Sequence, residues 1–171
     1  MPGIAGALLT ATHVGGVLLA LLGLGAIRFE LRRDPVPTWR LFLPALILLL
    51  CSVALLGGLS SRGRGIWLIG LIVGFPAGSV RALWLRMRTD HAVGLVRLSP
   101  VRDGVVVAAI ALVFAAIDLA VVLRAADSAS PSPLFAAAVS LCAAYLSGRA
   151  IVTRTLSRRA QHRDLRARNR R

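Results

Sequence analysis

Apolar residues fall along this chain in long blocks, and the blocks alternate with short connections that carry most of the charge and proline. Five blocks stand out, at about residues 3–27, 41–59, 66–85, 105–123 and 134–153. Each is close to the ~20 apolar residues that a helix needs to cross a ~30 Å hydrocarbon core. Lipid offers no partner to an unpaired backbone N–H or C=O, so a segment of this length and polarity is expected to be helical throughout. The pattern predicts an all-α, polytopic membrane bundle of five transmembrane helices over residues 1–153, followed by a basic tail over 154–171. The first block reads as a span and not as a cleaved signal. Met1, Pro2 and Gly3 supply no positive charge ahead of it, and it is long for a signal core.

Composition supports the same class. Of 171 residues, 57% are apolar and only 16% are charged, with a mean hydropathy of +0.76. A disordered chain is excluded, and a water-soluble domain of this make-up would lack the polar residues to cover its surface.

Charge then orients the bundle. The chain has no lysine and 21 arginines, with a formal net charge of +14. Arg28, Arg32, Arg33 and Arg40 lie in the first connection, and Arg86, Arg88, Arg97 and Arg102 in the third. Eight more follow the last block, whereas the other side would carry only Arg62, Arg64 and Arg124. Positive charge is retained on the cytoplasmic side, so an odd number of crossings with the N-terminus outside and the C-terminus in the cytoplasm is expected, in a bacterial inner membrane. Trp67 and Trp84, 17 residues or ~25 Å apart on a helix, are expected to mark the two interfaces of the third span.

The connections suggest little folded structure. Pro35 and Pro37 limit the first to a structured turn. In the third, the alternation from Val93 to Ser99 fits a short extended ribbon on the membrane surface, with a short interfacial helix as the alternative. The tail lacks an apolar face. Arg154, Arg158 and Arg159 are expected to contact anionic lipid. Nucleic-acid binding is disfavoured, because no aromatic residue interleaves the arginines and no recognised fold accompanies them.

Within the blocks, Gly70, Gly74 and Gly78 repeat every fourth residue, with Ala82 extending the row. Such a stripe lets another backbone approach closely. Its occupant is expected to be a neighbouring helix, a membrane-protein partner or a second copy of the chain. Weaker rows run through Thr12, Gly16 and Ala20, and through Ala136, Ser140, Ala144 and Gly148. Pro76 is expected to kink its helix.

Candidate chemistry is sparse. Cys51 and Cys142 form no Cys-x-x-Cys pair, and His13, His91 and His162 have no metal-ligand spacing, so no cofactor, metal or catalytic residue is expected. Ionisable groups inside the blocks are costly and therefore informative. Arg81 and Arg149 are close enough to block ends to extend to the interface. Asp118 lies ~8 Å, His13 ~15 Å and Tyr145 ~17 Å below the outer ends of their helices, close enough to meet if those helices are neighbours, so a polar pocket of His13, Asp118 and Tyr145 is expected. The alternative partners for Asp118 are Arg62, Arg64 and Arg124.

Arg32, Arg33, Asp34 and Pro35, then Arg40 and Pro44, Asp90 and Gly94, and finally Gly148 and Arg149 give the chain between residues 28 and 155 the look of one family. It resembles the CcdC-like family of small bacterial membrane proteins. The resemblance implies a multi-spanning inner-membrane protein, associated by name with cytochrome c maturation, and carries no catalytic residue across. Together these readings predict a non-enzymatic scaffold or accessory membrane subunit, with a small transporter or permease component, built around Asp118, as the alternative.

Overall fold

A computed structural model describes residues 4–28, 31, 35–56, 59–90, 94–98, 102–124 and 132–159, with side chains from Ala11 onward. It is mostly helical. Helix α1 covers Ile4–Ile27, α2 Leu43–Leu56, α3 Ser61–Leu83, α4 Asp103–Arg124 and α5 Pro133–Arg159. Four segments are long and apolar enough to cross a membrane, namely Thr38–Leu56, Ser61–Leu83, Asp103–Arg124 and Pro133–Arg159. The apolar stretch Ala11–Ile27 of α1 is a shorter fifth. The chain is thus a multi-pass membrane protein.

The expectation of an all-α chain needs one correction. Strands β1 (Val36–Pro37), β2 (Met87–Asp90) and β3 (Leu95–Leu98) form an antiparallel sheet in the order β1-β3-β2. The alternation in the third connection therefore resolves as a ribbon, with Met87 opposite Leu98 and Asp90 opposite Leu95. Gly94 takes φ +63° in the turn, a conformation that costs glycine nothing. The first connection, expected to be a turn, adds a third strand by pairing Val36 with Val96. Pro37 has no N–H to offer and is tolerated because β1 is an edge strand. Val36 and Val96 are buried, and Val36 joins Leu41 and Ala150 in a small apolar cluster against α5. The sheet therefore caps one end of the bundle, called here the sheet end.

Small residues decide how the helices pack, as expected where lipid is as apolar as leucine and close approach supplies the attraction. The broadest contact joins α3 to α5. Gly70, Gly74 and Gly78 are all buried there. A methyl at Gly78 would overlap the Tyr145 carbonyl, and one at Gly74 would overlap the Leu141 carbonyl. Gly148 of α5 answers from the other side, where a methyl would overlap the Phe75 carbonyl. The Ser140 hydroxyl spans the same seam, 2.9 Å from the Trp67 carbonyl. Within this chain the glycine stripe is therefore occupied by α5, and a homo-oligomer or partner would have to meet a different face.

Helix α1 packs on α2 and α4. Gly16 lies under Leu55, and the Cys51 thiol donates to the Gly16 carbonyl at 3.1 Å. Pro76 lies within helix α3, which runs from Ser61 to Leu83. Trp84 is exposed as expected of an interfacial residue, but Trp67 turns inward and donates its indole N–H to the Ser52 hydroxyl at 2.7 Å.

Candidate functional site

Two ionic clusters lie inside the helices, one toward each end. At the end away from the sheet, His13 of α1 and Asp118 of α4 meet, with Nδ1 3.0 Å from Oδ2. Both residues are buried, at 2% and 0% exposure. The second carboxylate oxygen of Asp118 accepts a hydrogen bond from the backbone N–H of Ser132 at 3.0 Å. Ser132 immediately precedes α5, and its carbonyl accepts from Phe135 and Ala136 in the first turn. The positive end of the α5 dipole thus adds to the attraction that holds the carboxylate. His13 Nε2 is buried and has no hydrogen-bond partner among the described residues, and the Nδ1–Oδ2 contact is a close approach outside hydrogen-bond geometry.

The sequence places Tyr145 with this pair, and the structure does not. The Tyr145 hydroxyl donates to Asp103 at 3.0 Å, in the second cluster. Depth along a helix sets how far a residue lies from an interface and says nothing about which neighbour its side chain meets. Arg62, Arg64 and Arg124 are exposed, and the partners of Asp118 among the described residues are His13 and Ser132.

The second cluster centres on Asp103, the first residue of α4. Its Oδ2 lies 3.0 Å from Arg81 Nε as well as from the Tyr145 hydroxyl, and Oδ1 lies 3.2 Å from a terminal nitrogen of Arg149. Arg149 is 6% exposed, and the Arg81 side chain is more than a third exposed. Sequence reasoning sends both arginines to the interface, whereas the structure sends them to one carboxylate. Asp103 escaped that reading because it sits just outside a block. The available signal was topological: one acid at the start of the fourth span, at the same end as Arg81 in the third and Arg149 in the fifth. A carboxylate in the first turn of α4 is also favoured by the helix dipole.

Chemically the clusters differ. Asp103 is engaged by two guanidinium groups and a phenol, so its oxygens are committed to holding α3, α4 and α5 together. The His13–Asp118 pair leaves one imidazole nitrogen without a hydrogen-bond partner among the described residues. A void of about 10 Å³, near the size of one water, lies beside the Asp103 cluster, lined by Arg149 and by Thr153, whose buried hydroxyl has no partner among the described residues.

The remaining residues singled out from the sequence are dispersed. Cys51 and Cys142 are buried free thiols in different helices. His91 and His162 lie outside the described residues. No group of three metal-ligating side chains occurs among the described residues. Arg154, Arg158 and Arg159, assigned to the tail by sequence, form the exposed end of α5 instead. No family model, curated protein or solved structure matches the chain.

Proposed function

We propose that this multi-pass protein is a non-enzymatic scaffold or accessory subunit of a bacterial inner membrane. It would cross five times, with its N-terminus outside and its sheet end in the cytoplasm. One observation carries the reading: the ionic groups within the helices are spent on joining helices. Asp103 draws Arg81 of α3 and both Tyr145 and Arg149 of α5 onto the start of α4. Asp118 ties α4 to α1 through His13 and to the start of α5 through Ser132. Intramembrane charges that bind one another rigidify a bundle, whereas those of a carrier face a hydrated path. The arginine-rich connections and the sheet share one end, which supports the orientation. The resemblance to the CcdC-like family adds no activity to this reading.

A second reading has its own support. The unpartnered Nε2 of His13 favours a small transporter or permease component with its polar site at Asp118. Cysteine accessibility separates the two. With Cys51 and Cys142 replaced by alanine, His13→Cys should resist a membrane-impermeant thiol reagent from both sides if the bundle is packed. Labelling from either side would overturn the scaffold reading and support the transporter. For topology, alkaline phosphatase fused after Arg171 should be inactive.

A further inference from the structure

The sheet does more than cap the bundle. Where β2 and β3 meet the end of α5, they enclose a cleft of about 180 Å³ lined by Thr38, Thr89, Asp90, Arg154 and Arg158 among others. Arg154 and Arg158 are four residues apart and so share one face of α5, and both are exposed. The Thr89 hydroxyl is buried, at 3% exposure for the residue, and has no hydrogen-bond partner among the described residues. Asp90, at 2% exposure, forms part of the same wall.

The depth of the cleft is set by the helix that builds it. Arg154 lies 21 residues beyond Pro133, about 32 Å along α5, which is one hydrocarbon thickness from the other end. Aromatic residues mark the same level. Trp39, next to Thr38, and Trp84 are both largely exposed, and the Arg154 guanidinium lies 5.4 Å from the centroid of the Phe42 ring. These are interfacial residues at headgroup height. The cleft thus opens where the phosphates of a leaflet lie.

Its chemistry carries both signs. Two guanidinium groups and a hydroxyl suit a phosphate ester, with the arginines well shaped to take its oxygens. The Asp90 carboxylate, which has a partner of its own, forms part of the same wall. A ligand with an ammonium group next to its phosphate would satisfy both walls, and a carboxylate has enough acceptor sites to receive it alongside any other partner. We infer that this cleft binds the phosphoethanolamine headgroup of a membrane phospholipid, its phosphate on Arg154, Arg158 and Thr89 and its ammonium on Asp90. The inference rests on the spanning arrangement and is independent of the choice between scaffold and transporter.

Native mass spectrometry of the full chain in detergent tests it, with phosphatidylethanolamine, phosphatidylglycerol and phosphatidylcholine of one acyl composition added in turn. Phosphatidylethanolamine should bind at least about tenfold more tightly than either, the lower end of what one charge-assisted hydrogen bond supplies. Arg154→Gln with Arg158→Gln should weaken it at least about tenfold, and Asp90→Asn should abolish its advantage over phosphatidylglycerol while leaving the latter bound. Asp90 is buried, so if that variant does not fold, the phosphatidylcholine comparison on the unaltered chain decides, because a trimethylammonium has no N–H to donate. Equal or tighter binding of phosphatidylglycerol or phosphatidylcholine, or no effect of the arginine substitutions, would overturn the assignment. Competition by soluble glycerophosphoethanolamine at the same concentrations would overturn the membrane source and make the ligand a cytosolic phosphate ester.

Discussion

Two carboxylates a few turns apart on one helix, Asp103 and Asp118 of α4, have solved the same problem in different ways. Asp103 starts the helix at the sheet end and collects two arginines and a tyrosine from α3 and α5. Asp118 is wholly buried near the other end, and among the described residues it meets an imidazole and one backbone N–H. The arginine side chains are long, permanently charged and multiply donating, so Asp103 is over-determined. Histidine is short, and its second nitrogen is left without a partner. A carboxylate whose two oxygens are both held by arginines from neighbouring helices behaves as a clamp. The pair at Asp118 leaves a buried nitrogen without a partner among the described residues, and so leaves room for a ligand.

The contrast can be broken most sharply at Asp103. Replacing it with alanine takes the carboxylate away from the buried Arg149 as well as from Arg81 and Tyr145, and loss of one partner of a buried ion pair costs about 3–5 kcal/mol. The expected result is a large drop in unfolding stability in detergent, and a change under about 1 kcal/mol would show that Asp103 is not a clamp.

Next in size is the seam that brings the clamp together. Gly78 abuts the Tyr145 carbonyl, so Gly78→Ala should force α3 and α5 apart and cost about 1–3 kcal/mol. Gly65 has open space around it, and Gly65→Ala should stabilise the helix by about 0.5–1 kcal/mol. Opposite signs in one unfolding assay are the expected signature, and equal tolerance at both sites would count against the packing.

At the other carboxylate, Asp118→Asn keeps an acceptor for the Ser132 N–H and weakens the attraction to His13. A cost of about 1–2 kcal/mol is expected, smaller than that at Asp103 because one partner is retained.

The smallest single loss of stability should come from Tyr145→Phe, which removes one of three donors to Asp103 and should cost about 1 kcal/mol. Its use is in combination. Combined with Asp118→Asn it should be additive within about 0.5 kcal/mol, since the two changes fall in separate clusters. A coupling well above that would restore the three-residue pocket of His13, Asp118 and Tyr145 and remove the distinction drawn here.

Much of the architecture was already visible in the order of residues. Apolar blocks of spanning length, proline and arginine between them, and a four-residue glycine repeat each report a local requirement: a hydrocarbon thickness, a helix break, a smooth helix face. Such requirements are met by a segment on its own, so the sequence alone determined a multi-pass helical chain and a packing stripe on α3. It determined also that Asp118 and His13 lie close enough in depth to meet if their helices are neighbours. Facing is a different kind of property, because it depends on the rotation of one helix about its axis relative to another. Only the tertiary structure decided that α5 fills the glycine stripe, that Tyr145 and Arg149 turn to Asp103, and that Val36 is drawn onto β3. The cleft beside Thr89 and Asp90 belongs to the same class. Its walls come from residues far apart in the chain, and they share a surface because a hairpin folds back onto the end of α5.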